Sequence, residues 1–389
     1  MGFELVFLTT DILVFLLFFT IVGFSIYSSR FEHLRAPWRQ VTNNRIAVIS
    51  ALVLVVYVLI ALLDSIHFRL AIETNKATDS SKVQRSQNYS SQVISLFDYF
   101  VTDLRNKEER TYSAPLATHS FYKETFESPE GGKQRDFPEL KYPSSHLFGT
   151  DKVGQDVLYR ALKGIRTGIL IGTLTTLIML PFAIIAGVMA GYFRGKVDDL
   201  IQYIYTTLSS IPGVLLIASA VLMLQVYMGT HPESFTNITI RQDTRLLFLC
   251  IILGVASWTG LCRILRGETL KLREMEYVQA AVALGVNRFK ILQKHIIPNV
   301  MHIVLITVVL DFSGLVLAEA VLAYVGVGVD PTMESWGNLI NAARLELARD
   351  PVVWWNLLAA FLFMFGLVLS ANLFADAVRD AFDPRLRTK

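Results

Sequence analysis

Two carboxylates, Asp311 and Glu319, stand inside an apolar run from 300 to 327. An ionisable group in such a run is costly unless it faces protein or water, so both are candidates for a transport pathway or an intramembrane polar contact. Glu319 falls near the end of the run, where a structural hydrogen bond or ion pair is the expected role. Asp311 lies nearer the middle and fits either reading. Other chemistry is missing from the sequence. Neither Gly132-Lys133 nor Gly195-Lys196 has the earlier glycine and following hydroxyl of a phosphate-binding loop. There is no H-E-x-x-H helix, no G-x-S-x-G elbow and no Cys/His cluster with metal-ligand spacing, so no catalytic, metal or cofactor site is expected. Cys250 and Cys262 are twelve helical residues apart, about 18 Å along the axis, too far to form a disulfide.

The elements that must position Asp311 and Glu319 follow from composition. Of 389 residues, 53% are hydrophobic, and the mean hydropathy is +0.45. Both figures exceed what a soluble domain needs, and the formal charge of only +3 gives no reason to expect nucleic acid. Seven stretches approach the roughly 20 residues that cross a bilayer: 5 to 27, 46 to 63, 167 to 193, 200 to 228, 246 to 262, 300 to 327 and 353 to 375. The first contains Asp11 but has no basic segment before it and no cleavage site, so it reads as a retained span. Basic clusters at 30–45, 194–196, 263–294 and 379–389 all fall on one side if the N-terminus is outside and the C-terminus cytoplasmic. The expectation is an all-α membrane protein: a polytopic bundle of six core helices, one extra N-terminal span, and an external insert after the second span.

The cytoplasmic segment from Glu276 to Asn299 reads as helix, turn, helix. Alanines favour the first helix, Gly285 suits a positive φ at its end, Asn287 can cap the second, and Pro298 closes it. Phe289, Leu292 and Ile296 form an apolar stripe that something must cover, with Arg288, Lys290 and Lys294 around it. A rigid helix pair suits a mechanical coupler; the pattern also fits an amphipathic loop on anionic lipid. Tight flanking spans argue against a DNA-binding helix-turn-helix.

The spacing of Gln279-Ala280-Ala281, Gly285 and Pro298 resembles the EAA loop of ABC importer permeases. The glycine lies six residues after the first motif position, and the proline thirteen after the glycine. Gln279 replaces the glutamate of that family and removes a charge from the docking helix. The resemblance extends to the dipeptide, oligopeptide and nickel importer permeases through several segments. These are Trp38-Arg39 to Asn44-Arg45, Gly149-Thr-Asp151 to Gly154-Gln-Asp156, Leu317-Ala-Glu319-Ala, Ser335-Trp336-Gly337-Asn338 and Asp383-Pro384-Arg385. It covers about residues 36 to 69 and 143 to 389. The resemblance implies a subunit of the bacterial inner membrane that forms a peptide pathway with a second related permease. Two ABC ATPase subunits, holding ATP and Mg, would drive it through Glu276, Gln279, Ala280, Ala281, Gly285 and Pro298. A periplasmic binding protein would deliver the peptide, and membrane lipid would surround the bundle. The chain would then divide into 1–45 (extra span and basic linker), 46–63 (first core span), 64–150 (insert) and 151–389 (permease domain).

The insert carries aromatics that can pack (Phe97, Tyr99, Phe100, Tyr112, Phe121, Tyr122, Phe126, Phe137 and Tyr142) and a flexible polar stretch from Ser80 to Ser91, so partial order is expected. Pro181 and Pro212 are expected within spans as packing kinks. Trp354 and Trp355 read as interfacial anchors, while Trp336 belongs to a turn in which Asn338 can cap the next segment. A secondary transporter relaying protons through Asp311 and Glu319 is the rival from another class. A membrane scaffold is the third reading.

Overall fold

The computed structural model describes residues 3–28, 30, 32–72, 88–90, 92–127, 133–235 and 237–382. The chain opens with strand β1 (Phe3–Val6), then helices α1 (Thr9–Ser28), α2 (Glu32–Asn43) and α3 (Arg45–Asp64). A mixed segment comes next, with β2 (His67–Ile72), β3 (Asn88–Tyr89), β4 (Ile94–Ser95), α4 (Leu96–Phe100), α5 (Thr102–Asn106), β5 (Glu124–Glu127) and β6 (Lys133–Asp136). The remainder is helical: α6 (Val157–Phe193), α7 (Gly195–Ser210), α8 (Gly213–Thr230), α9 (Ile238–Arg273), α10 (Glu276–Ala283), α11 (Arg288–Ile291), α12 (Ile297–Tyr324), α13 (Trp336–Glu346) and α14 (Trp355–Phe382). Among the described residues, seven helices are long and apolar enough to cross a membrane: Thr9–Tyr27, Arg45–Asp64, Val157–Phe193, Gly213–Thr230, Ile238–Arg273, Arg288–Tyr324 and Trp355–Ala381. Their alternating direction sets the 274–296 connection at one end of the bundle and the segment between α3 and α6 at the other.

The long parallel pair α6 and α9 is the centre of the bundle, with α3, α12 and α14 packed around it. At 37 residues, α6 extends about 55 Å, well beyond a hydrocarbon core of about 30 Å. Its N-terminal turns therefore stand in the polar region and can carry charge. Asn44 caps α3 by accepting from the amides of Ile46 (3.0 Å) and Ala47 (3.5 Å), and Asp156 caps α6 in the same way.

The expected span from 200 to 228 is instead two helices. Ile211 is extended (φ −89°, ψ 129°), because the ring of Pro212 disfavours a helical residue before it, and only α8 has spanning length and apolarity. Pro212 therefore marks a break, whereas Pro181 does lie inside α6.

The segment after α3 holds more β-structure than its composition suggested. β1 pairs antiparallel with β2, with Phe3 opposite Leu70 and Val6 opposite His67, and β2 also pairs with β3 and β4. The N-terminus thus supplies one strand of a four-stranded sheet. β5 and β6 form a separate hairpin. Most of the stretch from Ser80 to Ser91 lies outside the described residues. Trp355 is fully buried rather than interfacial, and its indole donates to the Thr150 carbonyl at 2.9 Å; only Trp354 is exposed.

Candidate coupling hairpin and intramembrane polar sites

α10 ends at a left-handed glycine. The Val286 amide reaches back to the Ala281 carbonyl (3.1 Å) and the Gly285 amide to that of Val282 (3.0 Å), which satisfies the orphan carbonyls only if Gly285 has a positive φ; it is +74°. Asn287 then caps α11, accepting from the Phe289 amide at 3.0 Å. Two expectations fail beyond this point. Pro298 does not close a helix, because α11 runs through a π-turn at Leu292–Ile296 into α12, with Pro298 at its first turn. The wider π-turn relieves the clash and the missing N–H that proline imposes on an α-helix. The apolar stripe is also displaced. Ile291, Leu292 and Ile296 are buried, whereas Phe289 is 69% exposed.

These buried residues join Val278 and Ala281 of α10 in one core with Leu261, Cys262, Leu265, Val300 and Val304. The hairpin is therefore seated on the ends of α9 and α12. Its free surface carries Glu276, Gln279, Ala280, Val282, Leu284 and Phe289, with Leu284 83% exposed at the tip. Gln279 donates its side-chain amide to the Glu274 carbonyl at 3.1 Å, a bond that glutamate could not donate. Around the base, Arg266 holds Asp198 through two bonds (2.5 and 2.7 Å), and Arg194 meets Glu274 at 2.6 Å. The hydrogen bond and charge of Arg266 outweigh burial and keep the Asp198 carboxyl below the usual range.

At the opposite end, Glu319 is buried and accepts from the Ser335 hydroxyl (2.9 Å) and the Gly337 amide (3.0 Å). Ser335, not Asn338, caps α13, accepting from the Asn338 amide at 3.0 Å. Asn338 uses its side-chain amide to hold the carbonyls of Asp330 (2.9 Å) and Met333 (2.8 Å). Trp336 is not in a turn but opens α13. It is buried over Gly164 and Gly168, and its indole donates to the Ala161 carbonyl at 2.9 Å. Asp311 is half-buried and forms no side-chain hydrogen bond or ion pair among the described residues. Asp311 and Glu319 are thus in different surroundings, eight residues apart on α12.

Gly149 and Gly154 occupy left-handed turns (φ +67° and +81°) that lead to α6. Asp151 accepts from the Val153 and Gln155 amides (both 2.9 Å), and Asp156 contacts His146 at 2.8 Å. Asp383 and Pro384 lie outside the described residues.

Three cations on α6, at three-residue spacing and unremarked in the sequence, tie this end together. Arg160 bridges Asp151 (2.6 Å) and Glu334 (2.8 Å); Lys163 bridges Asp64 (2.8 Å) and Asp98 (2.9 Å). Arg166 binds Asp11 at 2.6 Å and the Ser65 hydroxyl at 3.2 Å. Asp11 also meets His67 at 2.8 Å, and Asp243 accepts from Thr10 and from the Thr9 amide (2.9 Å). Asp11 therefore does not interrupt the first span but docks it. Burial raises the affinity of Asp98 for a proton, but the Lys163 charge and the bonds from Ser95 and Tyr159 leave its carboxyl lowered. The signal was available, since a lone carboxylate in a span demands a cation and 160, 163 and 166 share one helical face.

Comparison with known proteins agrees with this architecture. The model of the binding-protein-dependent transport system inner membrane component family matches residues 183–388. The oligopeptide transport system permease protein OppC of Haemophilus influenzae is 33% identical over 267 residues, covering 69% of this chain and 78% of that protein. The dipeptide transport system permease protein DppC of Bacillus subtilis is 30% identical over 264 residues, 67% of this chain and 76% of that one. Bacillus subtilis OppC is 32% identical over 248 residues, covering 64% and 74%. With its seven candidate spans and this match over more than half its length, the chain belongs to the family of inner-membrane components of binding-protein-dependent transport systems.

Proposed function

We propose that the chain is one of two related permease subunits of an ATP-driven ABC importer, and that its cargo is a peptide. The observation that carries the mechanism is the seated hairpin. Its inner face is locked into the core that contains α9 and α12, while its outer face presents Ala280, Val282, Leu284 and Phe289 without cover. A rigid element of this kind, held in a groove of a soluble ATPase subunit, moves with that subunit and transmits the motion to the spans. ATP and Mg are held on two partner ATPase chains. The hairpin lies in the cytoplasm, as do the basic clusters at 30–45, 194–196, 263–294 and 379–389, and the N-terminus and the 64–150 insert lie outside. A periplasmic binding protein delivers the peptide to that outer face. The peptide cargo is supported by the names of the relatives above.

In this reading Glu319 is structural and Asp311 is the candidate pathway residue, since only Asp311 keeps its carboxylate uncommitted. The test is Ala280→Trp, an exposed position where a large side chain leaves the core intact. Vesicles holding the assembled transporter should hydrolyse ATP yet lose peptide uptake. Uptake coupled to hydrolysis as in the unmodified protein would refute the hairpin's role, and uptake driven by an ion gradient without ATP would refute the importer reading.

A further inference from the structure

The sheet formed by β1, β2 and β4 is turned the opposite way from a sheet that faces water. Directly paired residues of antiparallel strands share a face, and alternate residues along a strand do too. The register therefore puts Phe3, Leu5, Phe68, Leu70 and Ile94 on one face, and Glu4, Val6, Arg69, His67 and Ser95 on the other. The second face looks into the polar network, where His67 meets Asp11 at 2.8 Å and the Ser95 hydroxyl donates to Asp64 at 2.6 Å. The first is bare. Phe3 is 65% exposed, Leu5 51%, and Phe7, immediately after β1, 74%. The Phe3 and Phe68 rings sit edge to face at 6.5 Å, and no side chain on this face carries a hydrogen-bonding group.

The sheet's place in the fold decides its occupant. β1 runs into α1 with only Phe7 and Leu8 between, and β2 starts three residues after α3 ends, so both strands leave from the ends of candidate spans. That is the depth of the headgroup region at the membrane face opposite the hairpin. α1 itself is exposed along Ile12, Leu16 and Phe19, one stripe of a spanning helix that meets lipid, and the apolar surface of the sheet continues the chain's lipid-facing surface. Tyr99 and Phe100 of α4, which directly succeeds β4, are each 67% exposed, and aromatic residues are enriched at this depth. β1 is also an edge strand, whose unpaired amides and carbonyls require water or headgroups on one side; this excludes the hydrocarbon interior and fits its boundary.

We infer that this sheet is a membrane-surface anchor: its Phe3, Leu5, Phe7, Phe68 and Leu70 face lies in the headgroup–acyl boundary of the bilayer, fixing the N-terminal span and the insert to the lipid. Single cysteines at Phe3, Phe7, Leu70 and, as the opposite-face control, Glu4 would carry a nitroxide spin label. Cys250 and Cys262 are buried, and the chain without an added cysteine is the blank. The labelled full chain, purified with whatever co-purifies with it, is placed in vesicles of phosphatidylethanolamine and phosphatidylglycerol. Collision with oxygen, which concentrates in lipid, is compared with collision with a water-soluble nickel chelate. The oxygen-to-nickel ratio should be severalfold higher at 3, 7 and 70 than at 4. Equal nickel access at all four positions would overturn the inference by placing the sheet in water, and loss of access to both reagents at 3, 7 and 70 would overturn it by showing a protein cover. All four labelled sites are exposed, so substitution opens no cavity.

Discussion

Replacing Arg166 by Met should release the N-terminal helix from the bundle. Arg166 and Asp11 have side-chain exposures of 8% and 3%, and their contact at 2.6 Å joins α6 to α1. Met keeps most of the volume and removes the charge, leaving Asp11 with His67 as its remaining partner. Removing one member of a buried ion pair costs about 3–5 kcal/mol, because the other charge stays buried without compensation. At about 1.4 kcal/mol per factor of ten, α1 should open on the order of 10²- to 10³-fold more often. The amides of Thr9 and Thr10 report this directly, since they donate to Asp243 (2.9 and 3.3 Å) only while α1 is docked. Hydrogen exchange of peptides spanning them, read by mass spectrometry in nanodiscs, should accelerate by that factor. The double variant Asp11→Leu with Arg166→Met removes both members of the pair and should recover part of the protection, since Asp243 still loses the Arg166 charge. Unchanged exchange in the single variant, or a double variant as fast as the single, would refute the docking role.

Other outcomes rest on the same geometry. Glu319→Ala leaves the Ser335 hydroxyl and the Gly337 amide buried without an acceptor, a loss of about 1–3 kcal/mol each; denaturation of the purified protein should show it, with Glu319→Gln milder because it keeps one acceptor. Trp336→Ala empties the space over Gly164 and Gly168 and should destabilise by about 3–5 kcal/mol in the same assay. Asp98 has a folded pKa below its ordinary value, so its stabilising contribution is complete above about pH 4 and is lost as pH falls through the lowered value. Asp98→Asn should therefore flatten the acid limb of the stability profile, and a profile as steep as before would show that Lys163 does not depend on it. Asp311→Asn should alter peptide uptake while leaving the unfolding free energy within about 0.5 kcal/mol; unaltered uptake would remove it from the pathway.

The apolar runs located every span, because about 20 apolar residues admit few other structures. Their limits were harder to read. α6 starts ten residues before its apolar run, since Arg160, Lys163 and Arg166 look like a solvated turn until their carboxylates are known. Four of those carboxylates lie far away in sequence, at 11, 64, 98 and 334, and Asp151 alone is local to α6. The sheet was hidden for the same reason, as β1 and β2 are separated by two spans and β3 and β4 hold two residues each. Within the hairpin, the Gly285 turn and the Asn287 cap were legible because their chemistry is local. Phe289 and Pro298 depart from the pattern of their sequence because a π-turn shifts the helical register between them. Trp355 fits composition rules for interfaces, but its indole found a buried carbonyl.

If ATPase subunits bind at the hairpin, their capture depends on its exposed tip. The tagged chain is purified in mild detergent, with and without Leu284→Asp and Phe289→Asp, and its companions are identified. Both positions are exposed and outside the core, so the bundle survives the change. A second permease and two ATPase chains should accompany the unmodified protein, and the variant should keep the permease and lose the ATPases. ATPases retained at the same level by the double variant, or absent from the start while the chain still transports, would contradict binding at the hairpin.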